Sequence, residues 1–379
     1  MDHDLVAPGW TGLPPFSQPF LHALNRMRAR ETVRPAQLEA HAECLLDAAC
    51  GPGAAVRTAS AHAAVGLIAE HARYVDGFAL VLPLPRATGV AARPAAVSRV
   101  VSEAGVAERT AVLARGLVAR LAPEPVEVAF ATTIPAALED ASEAALAVAL
   151  AAALRPGEAP ADHLAAARAA LEAETGVPAN PADLAAALSE RPGTVLLVDT
   201  RTYETRPLDA PSGIAWGVVA TGAGASPARV RALARWAERA RAAMAAAGFS
   251  PSPRDLDPSD LARALDAAGP KLRPTMEYLV HENRRAQRFA IALRRGDAQM
   301  MGALLSMSAR ARHARESLTP AERRALDALD ARSLEGVLGA TVSGLARQAV
   351  VLARPAALPG ALEAARDALG APDDAVLMA

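Results

Sequence analysis

The sequence predicts an α+β fold, and three observations lead to that class. Segments with helical and strand periodicity alternate without the regular strand–helix–strand rhythm of a doubly wound sheet. Beyond about residue 226 the chain becomes a nearly continuous series of helices, and strand patterns return only in its last part. Apolar residues make up 52% of the 379 residues, which supports a sizeable buried core and argues against a disordered chain.

The first part of the chain mixes helices with strands, which differ in the period of their apolar residues. Helices are predicted over residues 36–49, 108–122, 141–154 and 161–174. Strands are predicted over residues 54–60, 78–84, 125–133, 194–200, 202–208 and 213–221.

The second part is mainly helical. Helices are predicted over residues 226–247, 258–268, 274–295, 297–313 and 319–330. A proline-rich link over residues 249–258 interrupts them, because proline cannot continue a helix or a sheet ladder. Strands are predicted over residues 336–344, 347–354 and 374–379.

Charge and apolar length exclude two classes of partner. The net charge is −1, so the chain lacks the basic surplus that binds a nucleic-acid backbone. The longest apolar stretch, residues 144–154, is far shorter than the roughly 20 residues that span a bilayer. Cys44 and Cys50 fit no metal or redox motif. We therefore expect a cytoplasmic protein without a metal-ligand set, while the sequence leaves the oligomeric state open.

One polar group stands between two apolar segments and suggests a ligand-binding loop. It lies in "GLIAEHARYVDGFALVLP", residues 66–83, and contains Glu70, His71, Arg73 and Asp76. Polar side chains in such a position often bind a ligand, because burying a polar group without a hydrogen-bond partner costs free energy.

The segment "AHAAVGLIAEHARYVDGF", residues 61–78, resembles the first signature of the galactokinase branch of the GHMP small-molecule kinases. That signature reads approximately A-P-G-R-V-N-L-I-G-E-H-T-D-Y-N-G-G-F. Four later segments resemble the family in the same order, over residues 194–208, 276–309, 317–329 and 336–354. The resemblance implies a bilobal fold with an N-terminal lobe over 1–205, a C-terminal lobe over 206–379, and a cleft that binds a small molecule such as a sugar.

The resemblance also assigns residues to the acceptor side of the site. Glu70 and His71 match the family, Arg73 stands where the family has a sugar-binding Asp, and Asp76 lies in the same loop. Trp236 falls where the family has a sugar-contacting Tyr. Together these five residues are the predicted substrate-binding set.

A catalytic carboxylate is implied by "GVPANPADL", residues 176–184, which resembles the family's G-V-P-C-G-I-M-D-Q. Asp183 falls on the position of the catalytic base. The same residue also suits the first turn of a helix, where Asp is common. Both roles stay open at this point.

The nucleotide side departs from the family. Its phosphate loop, P-x-G-x-G-L-S-S-S-A-A, corresponds to "PAALEDASEAAL", residues 135–146, where Ala137 and Glu139 replace glycines and Ser142 is the one serine left. A carboxylate about 4 Å from a phosphate charge would cost ~4 kcal/mol at an effective dielectric of ~20. The family's last signature, G-A-R-M-T-G-G-G-F-G-G, keeps Gly344 but loses four other glycines. Ser142 and Gly344 are the predicted cofactor-binding residues.

Three functions remain open. The first is a pseudokinase-type protein that binds a ligand or a partner and needs no cofactor, because the phosphate motifs are degraded. The second is an active kinase that uses Mg·ATP to phosphorylate a sugar or another small alcohol. The third is a non-kinase reaction in the inherited cleft, with His62, His71, Glu70 and Arg73 as acid and base groups, since histidine titrates near neutral pH.

Overall fold

The computed structural model describes residues 34–53, 55–220, 227–313, 318–343, 348–372 and 375–378. Its helices are α1 (Pro35–Cys50), α2 (Glu108–Leu121), α3 (Glu139–Leu154), α4 (Pro160–Thr175), α5 (Pro181–Ala187), α6 (Pro227–Ala246), α7 (Leu261–Arg294), α8 (Ala298–His313), α9 (Pro320–Asp330) and α10 (Leu358–Leu369). Its strands are β1 (Arg57–Ile68), β2 (Phe78–Pro94), β3 (Arg99–Ser102), β4 (Val126–Thr132), β5 (Val195–Asp199), β6 (Thr205–Leu208), β7 (Ala215–Ala220), β8 (Val337–Ser343), β9 (Gln348–Ala353) and β10 (Val376–Met378).

The chain divides into two compact units. Of the described residues, the first unit contains those up to 63, those in 85–136 and those in 141–175, and the second contains those in 64–84, 137–140 and 176–378. The single lobe boundary at residue 205 stays a prediction. In the described part of the chain, every helix is too short or too polar to cross a membrane.

The first unit packs helices on antiparallel and parallel strands. β2 pairs with β4 from Thr88 opposite Thr132 to Pro94 opposite Val126, and β3 adds to β4 in parallel. Helix α1 lies directly on this sheet. The two backbones approach so closely that a Cβ at Gly89 would stand 2.6 Å from the backbone carbon of Leu38. Glycine therefore allows the helix and strand backbones to meet.

The second unit contains a four-stranded antiparallel sheet with the order β10-β7-β9-β8. Its core joins Val219 and Val351 of the sheet to Leu329 of α9 and Leu362 of α10. The short β10 pairs with β7, with Leu377 opposite Val218, as the strand prediction for residues 374–379 requires. Mixed helices and sheets of this kind confirm the α+β class.

The structure departs from the sequence prediction at several elements. β1, predicted over residues 54–60, runs from Arg57 to Ile68. β2 continues ten residues past Leu84, to Pro94, because it pairs with β4 although its second half is rich in alanine and contains Pro85. The short β3 and the helix α10 were not predicted. Pro359 and Gly360 at the start of α10 obscure its amphipathic pattern, although proline is well tolerated in the first turn of a helix.

Helix α8 and strand β8 meet backbone to backbone. A Cβ at Gly302 would lie 2.0 Å from the carbonyl oxygen of Leu338, and one at Gly339 would lie 2.4 Å from that of Gly302. The close approach fixes the rotation of α8, and so fixes where Ser308 and Arg312 further along the helix point.

We expect Gly302→Ala to lower the free energy of unfolding by about 2 to 3 kcal/mol, because backbone atoms must move to admit the methyl group. Gly360→Ala in α10 is the matched control, since its nearest neighbour would be a flexible Arg332 nitrogen at 3.8 Å. That variant should be neutral or more stable by up to about 1 kcal/mol. Urea unfolding curves measure both, and equal effects would contradict the packing argument.

Candidate functional site

The predicted ligand loop connects β1 to β2 in the second unit. Its centre is a 3-10 helix, Glu70–Tyr74. Ala69 precedes it with φ 62° and Asp76 follows it with φ 55°. Both left-handed residues fall where the resembled signature has glycine, so the loop keeps a glycine conformation with other side chains. For alanine that conformation costs about 1–2 kcal/mol, and such strain persists only where the surroundings hold it.

A buried carboxylate holds the start of the loop. Glu282 of α7 is 2% exposed and accepts a hydrogen bond from the backbone N–H of Ala69 at 3.2 Å. The same carboxylate accepts the hydroxyl of Ser308 at 2.7 Å and pairs with Arg285. With three donors on one carboxylate, the charge of Glu282 is compensated inside the protein.

The end of the loop is held by three further side chains. The N–H of Phe78 donates to Oδ1 of Asn283 at 2.8 Å. The hydroxyls of Ser252 and Thr200 donate to the carbonyl oxygens of Val75 and Gly77, at 2.7 Å and 2.8 Å. The loop backbone is thus fixed from several elements of the second unit, which is the arrangement that a preorganised ligand site requires.

Glu70 is engaged by an arginine. Its carboxylate lies 3.4 Å from a guanidinium nitrogen of Arg312, and the two side chains are 10% and 7% exposed. Arg312 also donates to Oγ1 of Thr341 at 2.8 Å. The family signature has arginine at the position of Thr341, so this chain supplies the guanidinium from α8 rather than from β8.

His71 is buried among aromatic rings. Its ring stacks on Tyr74 at 5.9 Å between centroids and meets Tyr278 edge-on at 5.7 Å. The guanidinium of Arg73 lies 5.1 Å from the centre of the Tyr74 ring. These contacts give His71 a packing role beside any role in ligand binding.

Two ion pairs flank the end of the loop. Arg241 binds the carboxylate of Asp76 at 2.9 Å, and Arg254 binds Asp199 at 2.6 Å. Arg254 also stacks 4.1 Å above the ring of Phe78. Burial alone would raise the pKa of Asp199, but hydrogen bonds from Arg254 and from the Arg201 backbone hold that pKa below its usual range.

Asp183 lies in the first turn of α5. The side chain of Asn180 caps this helix by accepting the N–H of Ala182 at 3.2 Å, as helix starts prefer. Helix α5 packs against the 3-10 helix that carries Glu70 and His71. One carboxylate oxygen of Asp183 is buried. The structure therefore brings the helix of the predicted base to the predicted ligand loop.

The remaining predicted residues lie elsewhere. Ser142 is the fourth residue of α3 and is buried in the first unit. Its neighbour Glu143 forms an ion pair of 3.0 Å with Arg109 of α2. Trp236 lies on α6 and is 40% exposed, and Gly344 lies outside the described residues. Among the described residues, no group of three His, Cys, Asp or Glu side chains could hold a metal ion.

Comparison with known proteins identifies the family. No protein-family model matches the chain. A galactokinase from Chloroflexus aggregans is 31% identical over 285 residues, which cover 66% of this chain and 71% of that protein. The chain is a galactokinase-like member of the GHMP kinase family.

Solved structures agree with this galactokinase-like fold. Lactococcus lactis galactokinase, complexed with galactose, has a TM-score of 0.74 at 18% identity and covers 89% of this chain and 96% of its own. Streptococcus pneumoniae phosphomevalonate kinase has a TM-score of 0.56 at 12% identity and covers 85% and 98%. L. major mevalonate kinase in complex with R-mevalonate has a TM-score of 0.55 at 16% identity and covers 84% and 93%.

Sequence reasoning missed the residues that hold the loop of this galactokinase-like chain. The signal for Glu282 and Asn283 was present, since they are the Glu-Asn pair of "MEYLVHENRRAQ". That segment resembles the family's Arg-His-x-x-x-Glu-Asn helix, and this resemblance indicates the fold without indicating that the two side chains bind the loop. No local pattern points to Arg312, Arg241 or Arg254, because the loop residues that they contact lie more than 150 residues away along the chain.

Proposed function

We propose that this galactokinase-like protein binds a small polyhydroxy ligand of the sugar class in the Glu70–Asp76 loop and does not transfer phosphate efficiently. The observation that carries the proposal is the asymmetry between the two sides of the inherited site. The ligand loop is held by buried hydrogen bonds and keeps its left-handed positions. The phosphate side has lost its glycines and gained acidic residues.

Mg·ATP does not fit the residues at the start of α3. A helix N-terminus attracts phosphate through free N–H groups and the helix dipole, but α3 begins with Glu139 and Asp140. Glu143 is already neutralised by Arg109 and so contributes no metal-binding charge of its own. Ala64, buried in β1, stands where the family has the arginine of A-P-G-R.

The ligand side supports a small molecule with hydroxyl groups. Glu70 and Asp76 are carboxylates that accept hydroxyl hydrogen bonds, and each is oriented by an arginine, Arg312 or Arg241. The galactose complex of the Lactococcus lactis galactokinase makes a sugar the first ligand to test.

Calorimetric titration with Mg·ATP tests the proposal. We expect a dissociation constant of about 1 mM or weaker, near −4 kcal/mol, because the phosphate loop has lost its glycines and gained acidic residues. Replacing Glu139 with glycine and Glu143 with serine together should tighten binding, because the change removes two acidic residues and frees the cation of Arg109 from its pair with Glu143. Asp162→Ser, which removes an acid from the first turn of α4, is the matched control and should change nothing. Micromolar binding by the unmodified protein would contradict the proposal.

A second function, an active kinase, is favoured by one observation. Helix α5 packs on the ligand loop and carries Asp183 with a buried carboxylate oxygen. In that case Asp183 would accept the proton of the acceptor hydroxyl while Glu70 and His71 orient the acceptor, and Mg·ATP would supply the phosphoryl group. Ser142 would be the hydroxyl left for the metal.

A further inference from the structure

A cavity of about 390 Å³ opens at the kink of helix α7, within the second unit. Trp236 and Arg239 of α6 form one wall, and residues 268–272 of α7 form the other. The volume is in the range of small-molecule sites, which are mostly apolar with a few placed polar groups.

The kink has an identifiable cause. Gly269 adopts φ 72° and ψ 168° inside α7, a conformation open to glycine and strained for other residues. Pro270 follows and has no N–H to give to the preceding turn. The helix is therefore kinked at this point, where residues 268–272 line the cavity.

The cavity walls rest on a packed core. Ala240 and Met244 of α6 pack against Ala264, Ala268 and Met276, which lie on both sides of the kink. Leu272, a lining residue, packs against the same cluster. Because its lining residues Ala268 and Leu272 belong to a packed hydrophobic cluster, we expect the cavity to keep its shape without a ligand.

The lining combines an aromatic surface with positive charge. Trp236 is 40% exposed and lines the cavity, while Arg239 and Lys271 add two cations. No carboxylate is among the described lining residues, and neither cation forms an ion pair with a described residue. Lys271 is also the only lysine of the chain.

This cavity is distinct from the ligand loop. Ala237, the residue after Trp236, packs with Tyr74 and Tyr278, and Arg241 pairs with Asp76. Successive residues of a helix point about 100° apart, so Trp236 leaves α6 in another direction. Trp236 lines the cavity together with Lys271, and its predicted sugar contact stays a prediction.

We propose that the cavity at the α7 kink is a second binding site, for a small aromatic anion. The flat body of such a ligand stacks on Trp236, and its carboxylate, sulfonate or phosphate lies between Arg239 and Lys271. Stacking on indole and pairing with two uncompensated cations together favour this class over neutral or cationic ligands.

The test is a titration of the ¹⁵N-labelled full chain with 4-toluenesulfonate, followed through the indole N–H signals of its tryptophans. Trp236→Leu assigns the relevant signal. The signal of Trp236 should shift saturably, and Lys271→Gln or Arg239→Gln should each weaken binding about 5- to 10-fold. Bound probe should also slow the reductive methylation of Lys271, which peptide mass spectrometry reads without interference from other lysines.

Two controls make the result decisive. The neutral 4-toluenesulfonamide has the same shape and should bind much more weakly. Arg235→Gln removes an exposed cation next to Trp236 that does not line the cavity, and it should bind the probe as the unmodified protein does. The proposal is overturned if the sulfonamide binds equally well, if Arg235→Gln weakens binding as much as Lys271→Gln, or if the Trp236 signal does not move at millimolar probe.

Binding at the α7 kink can be distinguished from nucleotide binding at the start of α3. ATP is itself an aromatic anion, so ATP bound at the kink would bind more weakly in Lys271→Gln and equally well in the variant of Glu139 and Glu143. ATP bound at the start of α3 would be unaffected by Lys271→Gln and would bind more tightly in the variant of Glu139 and Glu143.

Discussion

Glu282→Ala is expected to lower the free energy of unfolding by about 3 to 5 kcal/mol, because it removes one partner from a buried charged network. The variant leaves Arg285 and the hydroxyl of Ser308 without their acceptor. It also frees the N–H of Ala69, so the strained left-handed residue loses the contact that holds it. Binding at the ligand loop should weaken together with stability.

Urea unfolding curves compare this variant with Glu277→Ala. Glu277 is an exposed residue on the same helix, and its replacement should change stability by less than about 0.5 kcal/mol. Glu282→Gln keeps an acceptor for Ala69 and should fall between the two. Similar values for Glu282→Ala and Glu277→Ala would mean that the buried network does not hold the loop.

Asp183→Asn is expected to lower any ATP-dependent phosphorylation by about 100- to 10,000-fold, the usual effect of removing a general base. The reason is positional, since Asp183 is the carboxylate on the helix that packs against the ligand loop. Glu190→Gln, an exposed change shortly after α5, is the control and should keep full turnover. If Asp183→Asn kept turnover and lowered the melting temperature, Asp183 would be a helix-start residue only.

The strands and helices around the site follow from local sequence. The sequence predicts strands over 54–60 and 78–84 on either side of the ligand loop, and separate helices over 258–268 and 274–295, which meet at the kink of α7. The second half of β2 was missed because its residues, rich in alanine, have weak strand propensity. Pairing with β4 decides its conformation, and pairing is not a local property.

The site was predictable only where a local motif marks its residues, because its other contacts are not a local property of the sequence. The Glu70–His71 loop carries a local motif, and so does Asp183. The contacts that hold the loop join distant segments, such as the 213-residue separation between Ala69 and Glu282 and the 242-residue separation between Glu70 and Arg312. A resemblance to a family can flag such pairs only when the matching residue is retained. The family signature has arginine where this chain has Thr341. Here Arg312 of α8 contacts Thr341, and the signature contains no position that corresponds to Arg312.

We propose that the ligand loop survives in this protein while phosphate transfer does not. Incubation of the unmodified protein with Mg·ATP and galactose, followed by ³¹P NMR, distinguishes such a protein from an active kinase. No sugar phosphate is expected to form above the background in a protein-free sample. Stoichiometric formation of ADP and a sugar phosphate, abolished by Asp183→Asn and unaffected by Glu190→Gln, would show that phosphate transfer survives and would establish an active kinase.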